Sequence, residues 1–525
     1  MSRERLFIFD TTLRDGAQTQ GVDFSVEDKR QIALALDQLG VDYIEGGWPG
    51  ANPTDTAFFA APPPLKHARF TAFGMTKRAG RSAANDPSLA PILEAPVDAI
   101  CLVGKTSSYQ VRVALEIAPE ENLDNIARSM EVIAAKKREP LFDAEHFFDG
   151  YKSDPEYALA CIRAAHDAGA KWIVLCDTNG GSMPEDVYRI VSEVKSRLPG
   201  AALGIHAHND TEQAVAVSLA AVRAGVRQIQ GTLNGLGERC GNANLCSLLP
   251  NLMLKEPFAS LFETGVSAEN LTHLTHVSRL LDEILNRAPG RYAAYVGSSA
   301  FTHKGGLHVS AVVKDPQTYE HVPPEAVGNK RTMPVSAQSG RANVAANLGA
   351  DGGDLTRLLQ DVKRREFEGY SYDDAAASFE LLALRQQKKL PAYFIVDRFS
   401  VTAESIRDHN GELVSRSHAS VELLVAGAKI RNTGSGNGPV NALDAALRMD
   451  LGKYSSHLAD LRLVDYKVRI LTSGTEAVTR VMVESADGKG NRWSTVGVSE
   501  NIVDASFEAL TDAIIYKLYS DGAVA

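Results

Sequence analysis

Cysteine is scarce in this chain. Five residues in 525 (Cys101, Cys161, Cys176, Cys240 and Cys246) form no CxxC pair and no framework spacing, which excludes a disulfide-stapled scaffold and suits a reducing cytosol. Long apolar runs are missing: no 18-residue stretch is apolar enough to span a bilayer, and Met1-Ser-Arg-Glu-Arg-Leu6 leads into a strand pattern without a targeting segment. A cytoplasmic protein with no membrane contact is expected. Basic character is also lacking. With 65 Asp+Glu against 55 Lys+Arg, a net charge of -10 and no Lys/Arg block, nucleic acid is a poor partner. Nucleotide fingerprints are absent too. No GxGxxG follows the first strand pattern, and the glycine-rich 434–438 stretch runs into Pro439 instead of the Lys-Ser/Thr of a phosphate loop. It reads as a turn entering a helix.

Up to about residue 255, short aliphatic runs alternate with helical patterns. Strands are expected at Leu6–Thr12, Tyr43–Trp48, Arg69–Met75, Ala99–Gly104, Pro140–Phe147, Trp172–Asp177, Ala202–His208 and Gln228–Leu233. Helices are expected at Val26–Leu39, Pro155–Ala168, Pro184–Leu198 and Glu212–Ala224, with Ser25 and Asp154 as start signals. Eight such units predict an α/β fold, a (β/α)8 TIM barrel over residues 1–265; a doubly wound open sheet is the alternative. From 266 to 390 the alternation stops. A helix over Ala268–Asn286, the segment Phe301-Thr-His-Lys-Gly-Gly-Leu-His308, a proline- and glycine-punctuated run to Arg341 and helices over Asp354–Glu366 and Asp373–Gln386 suggest a linker with small helical subdomains. Residues 391–525 read as a C-terminal α+β domain. Strands are expected at Tyr393–Val401, Ala419–Val425, Tyr466–Leu471 and Arg480–Glu484, helices at Gly438–Leu447 and Asp504–Leu518, and a hairpin turn at Asp487-Gly488. No solenoid-type repeat stands out.

Three segments carry chemistry: Asp10-Thr-Thr-Leu-Arg-Asp-Gly16, Gly204-Ile-His-Ala-His-Asn-Asp210 and Gly235-Leu-Gly-Glu-Arg-Cys-Gly-Asn242. Each lies at or just after a strand's C-terminal end, where such barrels place their active sites. His206 and His208, i and i+2 on a strand, face the same way about 6.6 Å apart along the chain. With Asp15 and Asn242 they make a mixed oxygen and nitrogen set for Mg2+, Mn2+ or Zn2+. An open site of this kind can polarise a carbonyl. Arg14 is placed to stabilise a developing oxyanion, and Glu45 to orient Arg14 through a carboxylate–guanidinium pair. Blander readings exist for each motif alone: a hydrogen-bonded histidine pair, a common LRDG turn, and Asn242 as a turn residue.

The segments FDTTLRDG, IEGGWPGANPTD, CDTNGG, GIHAHND, NGLGERCGN and FTHKGGLH resemble the metal-dependent acyl-CoA carboligases and lyases of the DRE-TIM group. Within it the chain is similar to the 2-isopropylmalate synthase and homocitrate synthase branch, and its GWPGANPTD segment resembles the citramalate synthases. The likeness runs essentially full length, including Arg431–Ala442 and Val464–Ile470, which resemble that branch's regulatory domain. It implies that acetyl-CoA is enolised, that its methyl carbon attacks a metal-bound 2-oxo acid, and that the thioester is hydrolysed. It also implies Asp15, His206 and His208 as metal ligands, with Asn242 as a further or water-mediated one. Thr178 would bind the keto-acid carboxylate, Glu145 would be the base or orient it, and Glu238 would lie near the acyl-CoA end. His308 and Tyr319 would complete the site from a neighbouring subunit, in a homodimer; a structural histidine in a Gly-rich turn is the alternative for His308, and His303 is a second candidate.

The same resemblance implies an amino-acid effector, isoleucine, on the C-terminal domain. A few side chains decide between pyruvate and 2-oxoisovalerate, because one methylene is worth only about 1–3 kcal/mol in an apolar pocket. Trp48 would narrow the pocket toward pyruvate, or be merely a barrel-rim aromatic. The reading is a citramalate-forming enzyme of isoleucine biosynthesis, with a 2-isopropylmalate synthase as its nearest rival. A hydroxymethylglutaryl-CoA-type lyase would leave the long C-terminal domain unexplained. A binding protein on a retired barrel would leave the intact Arg14, Asp15, Glu45, His206, His208 and Asn242 set unexplained.

Overall fold

The computed structural model describes residues 3–336, 355–407, 409–474 and 477–525. They fall into two compact units, one holding the chain to Phe301 with Val322–Lys330, the other Thr302–His321 with the chain from Arg331 onward. Among the described residues no helix is long and apolar enough to cross a membrane.

The first unit is a closed barrel of eight parallel strands in chain order: β1 (Phe7–Asp10), β2 (Tyr43–Glu45), β3 (Arg69–Met75), β4 (Ala99–Lys105), β5 (Glu139–Glu145), β6 (Trp172–Asp177), β7 (Leu203–Ala207) and β8 (Gln228–Gly231). Closure runs through β1 and β8, with Phe7 opposite Gln228 and Asp10 opposite Gly231. Every expected strand is present, several of them shorter than the apolar pattern suggested. β2 stops at Glu45 because the chain turns at Gly47 (φ 135°), where a Cβ would collide with the Asp55 carboxylate. β5 stops at Glu145 because His146 takes a left-handed conformation (φ 57°) and opens a helix at Phe147.

The helix Val26–Leu39 occupies the expected span because its ends are specified. Ser25 and Asp28 form a reciprocal capping box, Gly40 closes the other end at φ 98°, and Ile32, Leu36 and Leu39 are buried. The helix expected over Ala268–Asn286 is instead two, Ala268–Leu271 and Leu274–Ile284. The chain tightens between them through Thr272 N–H to Glu269 O and His273 N–H to Asn270 O bonds.

In the second unit, β9 (Phe394–Arg407), β10 (Leu413–Val425) and β11 (Ala428–Gly436) precede the helix Pro439–Met449; β12 (Arg462–Ile470), β13 (Thr479–Ala486) and β14 (Arg492–Ser499) precede the helix Ile502–Ser520. Both sheets are antiparallel, and both layers share one core around Val421, Leu443, Val481 and Leu510. A βββα unit thus occurs twice, which sequence reading missed because β11 and β14 are its weakest strands. Each carries a glycine pressed on the following helix: a Cβ would lie 2.4 Å from Ala442 O at Gly434 and 2.1 Å from Ala505 O at Gly497. The hairpin expected at Asp487-Gly488 joins β13 to β14. Helices Leu355–Glu368 and Ala376–Gln386 pack with Val496 of β14 through Leu358, Val362 and Phe379. The last residues of the run expected to reach Arg341, and Asp354 of the next helix, lie outside the described residues.

One buried cation ties the first two barrel loops together. Lys29 Nζ donates to Leu13 O and Gly46 O, both at 2.9 Å, and pairs with Asp55, while Asp55 accepts from Trp48 N at 2.9 Å. Leu13 precedes Arg14 and Gly46 follows Glu45, so this bond set positions both. Lys29→Met leaves a buried carboxylate and two carbonyls without their partner and is expected to cost about 3–5 kcal/mol, read as a lowered thermal midpoint. An unchanged midpoint would contradict the assignment.

Candidate active site

The turn after β1 is built by short-range hydrogen bonds. Asp10 accepts from Thr12 N at 2.9 Å and Thr12 Oγ1 at 2.7 Å, Thr12 Oγ1 accepts from Leu233 N at 2.9 Å, and Gly16 N donates to Thr11 O. This turn presents Arg14 and Asp15 side by side. Arg14 Nε donates to Glu45 Oε2 at 2.7 Å, and its terminal nitrogen donates to Asp15 Oδ2 at 3.0 Å. Its guanidinium carbon lies 4.0 Å from the Phe73 ring centroid. Thr11 Oγ1 donates to the same Glu45 oxygen at 2.6 Å. Burial works against the Arg14 charge, but Glu45, Asp15 and Asp143 outweigh it and hold the guanidinium firmly protonated.

Asp15, His206 and His208 converge. Asp15 Oδ2 lies 3.6 Å from His206 Nε2 and 3.9 Å from His208 Nε2, the two imidazole nitrogens are 3.3 Å apart, and all three residues are buried. Asn242 donates to Asp15 Oδ1 at 2.9 Å, and its own Oδ1 is buried without a partner. Burial would raise the Asp15 carboxyl, but Arg14, the two histidines and the Asn242 amide hold it well below the usual carboxylate range. Burial and the neighbouring His208 push His206 down to about 4, and burial lowers His208 as well. Neutral imidazoles, an ionised carboxylate and an orphaned amide oxygen form the donor set a divalent cation needs, and the three ligand atoms lie within 4.8 Å of one another.

A cavity of about 200 Å3 opens over this group. Arg14, Glu145, Thr178 and Glu238 line it with the three converging residues. Thr178 Oγ1 accepts from His146 N at 2.8 Å, which leaves the hydroxyl proton free to donate. Glu145 pairs with Lys105 Nζ at 2.7 Å. Glu45 and Asn242 sit behind Arg14 and Asp15. Trp48 lines two neighbouring cavities, of about 550 and 390 Å3, and packs edge-on against Phe73, 5.7 Å between centroids. His308 and Tyr319 belong to the second unit, where their rings stack at 4.0 Å. His303 is buried there, 3.2 Å from Glu320, which Arg331 grips through two nitrogens.

Sequence reasoning passed over several residues that line or brace this cavity. Asp143 lines it two residues before Glu145 on β5; the i, i+2 rule that selected the histidines points to it as well. Gln230 sits behind His206, and two glutamines alternating in the buried strand Gln228-Ile-Gln-Gly231 were a signal. Arg239 grips Asp210 through two nitrogens, at 2.7 and 3.0 Å, and donates to Thr178 O at 2.7 Å. It thereby joins the loops after β6, β7 and β8.

Three family models match consecutive stretches: HMGL-like over residues 5–280, homocitrate synthase post-HMGL domain-like over 295–363, and LeuA allosteric (dimerisation) domain over 375–518. The (R)-citramalate synthase of Aquifex aeolicus is 47% identical over 99% of this chain and 98% of its own length. That of Geobacter sulfurreducens is 47% identical over 98% and 97%. The chain belongs to the (R)-citramalate synthase family. The 2-isopropylmalate synthase of Methanocaldococcus jannaschii is more distant, at 32% identity over 97% of this chain and 94% of its own length. Membership in the citramalate synthase family makes the chain an enzyme of the acyl-condensing kind. It carries an allosteric-type C-terminal domain and a buried Asp/His/His group compatible with a divalent metal.

The low His206 value couples protonation to folding. Between pH 6.5 and about 4 the unfolded chain binds the proton and the folded one does not. The stability this neutral histidine confers is therefore complete above pH 6.5 and lost as pH falls through 4, about 3 kcal/mol in all. The thermal midpoint of metal-free protein is expected to drop across that window, and His206→Asn to flatten the drop. An equally steep profile in the variant would contradict this origin.

Proposed function

We propose that this chain condenses acetyl-CoA with pyruvate and hydrolyses the resulting thioester, giving (R)-citramalate and CoA, as an acyltransferase whose acyl group becomes alkyl on transfer. The observation that carries the reading is the convergence of Asp15, His206 and His208 beside Arg14 and the free Thr178 hydroxyl proton, in a chain 41–47% identical to five (R)-citramalate synthases.

Each residue then has a task. The Thr178 hydroxyl donates to the carboxylate of pyruvate. Glu145, oriented by Lys105, takes a proton from the acetyl methyl. Arg14, braced by Glu45 and Thr11, offers its N–H groups to the oxyanion that develops as the methyl carbon bonds to the keto carbon. The alkoxide takes up a proton, and water then cleaves the thioester to release CoA as the thiol. His308 and Tyr319 assist that hydrolysis from the partner subunit of a homodimer, and Glu238 faces the acyl-CoA end. A divalent cation held by Asp15, His206, His208 and Asn242, Mg2+ or Mn2+ with Zn2+ chemically acceptable, would supply Lewis acidity toward the keto oxygen.

Trp48, packed on Phe73 of the cavity wall, narrows the site toward pyruvate against a branched keto acid. Residues 1–265 are the catalytic barrel, 266–390 complete the active site, and 391–525 form the regulatory domain, which takes isoleucine as end-product inhibitor in the cytoplasm.

Thiol release from acetyl-CoA is the direct test. With Mg2+ or Mn2+, kcat/KM for pyruvate is expected to exceed that for 2-oxoisovalerate by at least about tenfold, the scale of discrimination by side-chain size, and a chelator is expected to abolish release. Preference for 2-oxoisovalerate would move the reading to 2-isopropylmalate formation. In a separate test, mixing His308→Ala with Asp15→Ala protomers is expected to restore part of the activity that each variant lacks. No recovery would place His308 in cis or outside the chemistry.

A further inference from the structure

A buried hydrogen-bond chain runs away from the ligand group. His206 Nδ1 lies 2.8 Å from Gln230 Oε1, and Gln230 Nε2 lies 3.0 Å from Asp143 Oδ1. Gln230 is 1% exposed and Asp143 3%. Both heteroatoms of the Gln230 amide are used, whereas those of Gln228, two residues earlier on the same strand, are buried with no partner. The neighbours of His206 compete for its single ring proton. Asp15 Oδ2, 3.6 Å from Nε2, pulls the proton toward the nitrogen that faces the ligand group. Gln230, within hydrogen-bond distance, pulls it to Nδ1. Only the second tautomer leaves Nε2 with a lone pair for a cation.

The orientation of the Gln230 amide decides that competition, and Asp143 sets the orientation. The contacts put the NH2 end on Asp143 and the carbonyl oxygen on His206, and an ionised Asp143, which can only accept, holds the amide that way round. Without Asp143 the amide can flip, present NH2 to Nδ1, and drive the ring proton to Nε2. We propose that Gln230 and Asp143 are positioning residues that lock His206 in its metal-binding tautomer. This rests on the metal reading of Asp15, His206 and His208. It gives strand β8 and the Asp143 position of β5 a role in metal affinity that neither touches directly.

The test is Mn2+ binding to the full-length protein by titration calorimetry, together with thermal melting of the metal-free form. Gln230→Met and Asp143→Ala are each expected to weaken Mn2+ binding about 10–100-fold, the range for loss of a partner behind a histidine ligand. Melting of the metal-free protein should stay within a few degrees of the parent. If Gln230→Met does not melt cooperatively, Asp143→Ala decides. The exchanged pair Asp143→Asn with Gln230→Glu, in which an amide now donates to a carboxylate that accepts from His206, is expected to restore binding to within a few-fold. Asp15→Ala separates the two readings. Parental Mn2+ affinity in Gln230→Met and Asp143→Ala, alongside loss in Asp15→Ala, would overturn the proposal and leave the metal reading standing. Absence of Mn2+ binding in the parent would remove both.

Discussion

The site depends on one act of closure. β1 pairs with β8 in parallel, Asp10 opposite Gly231, and this register brings the first and last loops of a long stretch of chain onto the same rim. The contacts across the seam are specific: Asn242 to Asp15 at 2.9 Å spans 227 residues, Leu233 N to Thr12 Oγ1 spans 221, and Gly237 N to Thr19 Oγ1 spans 218. A slip of one residue would turn every side chain of the closing strand to its other face. His206 and His208 would then meet neither Asp15 nor Gln230. Because all eight strands run parallel, their C-terminal ends share one rim, so a ligand set scattered over the sequence can be local in space.

Such a rim concentrates buried charge, and buried charge is costly unless paired. The barrel divides the cost among short bonds. Glu45 receives Arg14 and Thr11 on one oxygen, Asp15 receives Arg14 and Asn242 on its two, and Asp143 receives Gln230. Burial and the nearby Glu45 charge nevertheless raise Asp143 to about 7, a sign that carboxylates are crowded toward the barrel axis. Arg14 cannot offset all of them. Among the described atoms left without a partner are a Glu45 oxygen, the Asn242 amide oxygen and His208 Nδ1. Of these only the Asn242 oxygen belongs to a residue hydrogen-bonded to Asp15, and with the imidazole nitrogens His206 Nε2 and His208 Nε2 beside the carboxylate it makes a donor set that suits a cation. Lys29 shows the contrasting case in the same barrel: its ammonium meets two carbonyls and a carboxylate, and its work is structural.

What could be read in the sequence was whatever rests on periodicity or on a terminus signal. The helix Val26–Leu39 was legible because Ser25, Asp28 and Gly40 spell its ends; β6 was legible because the apolar run Trp172–Cys176 stops at Asp177, where the strand stops. The histidine pair was legible for the same reason. Illegible were features whose cause is packing or a local backbone turn that periodicity does not carry. β11 and β14 carry Gly434 and Gly497 because a helix backbone presses on them, and glycine counts against a strand when the helix is not in view. The early end of β5 follows from His146 in a left-handed conformation, which histidine tolerates better than most residues but which its identity alone does not specify. Lys29 read as one more charge in an amphipathic helix, yet it is among the more deeply buried cations described. Asp143 obeyed the very alternation that selected His206 and His208, and was passed over because its partner Gln230 lies 87 residues away.

The second unit raises a question of mechanical continuity. Residues 302–321, which carry His308 and Tyr319, group with the C-terminal sheets and not with the barrel that precedes them in the chain. Within that unit the connections are of several kinds. Lys304 pairs with Asp373 at 2.7 Å, Tyr370 donates to Glu508 at 2.8 and 2.9 Å, and Leu358, Val362, Tyr372 and Phe379 share a core with Val496 of β14. Glu508 in turn accepts from Val498 N at 3.2 Å. The path from the sheet β12–β14 to the segment bearing His308 is therefore made of ion pairs, hydrogen bonds and packed side chains, with no free linker among its described parts. An effector can shift a protein only by binding two of its states unequally. The sheets and His308 belong to one compact unit, so a change between such states would have a route to His308 that does not cross the barrel.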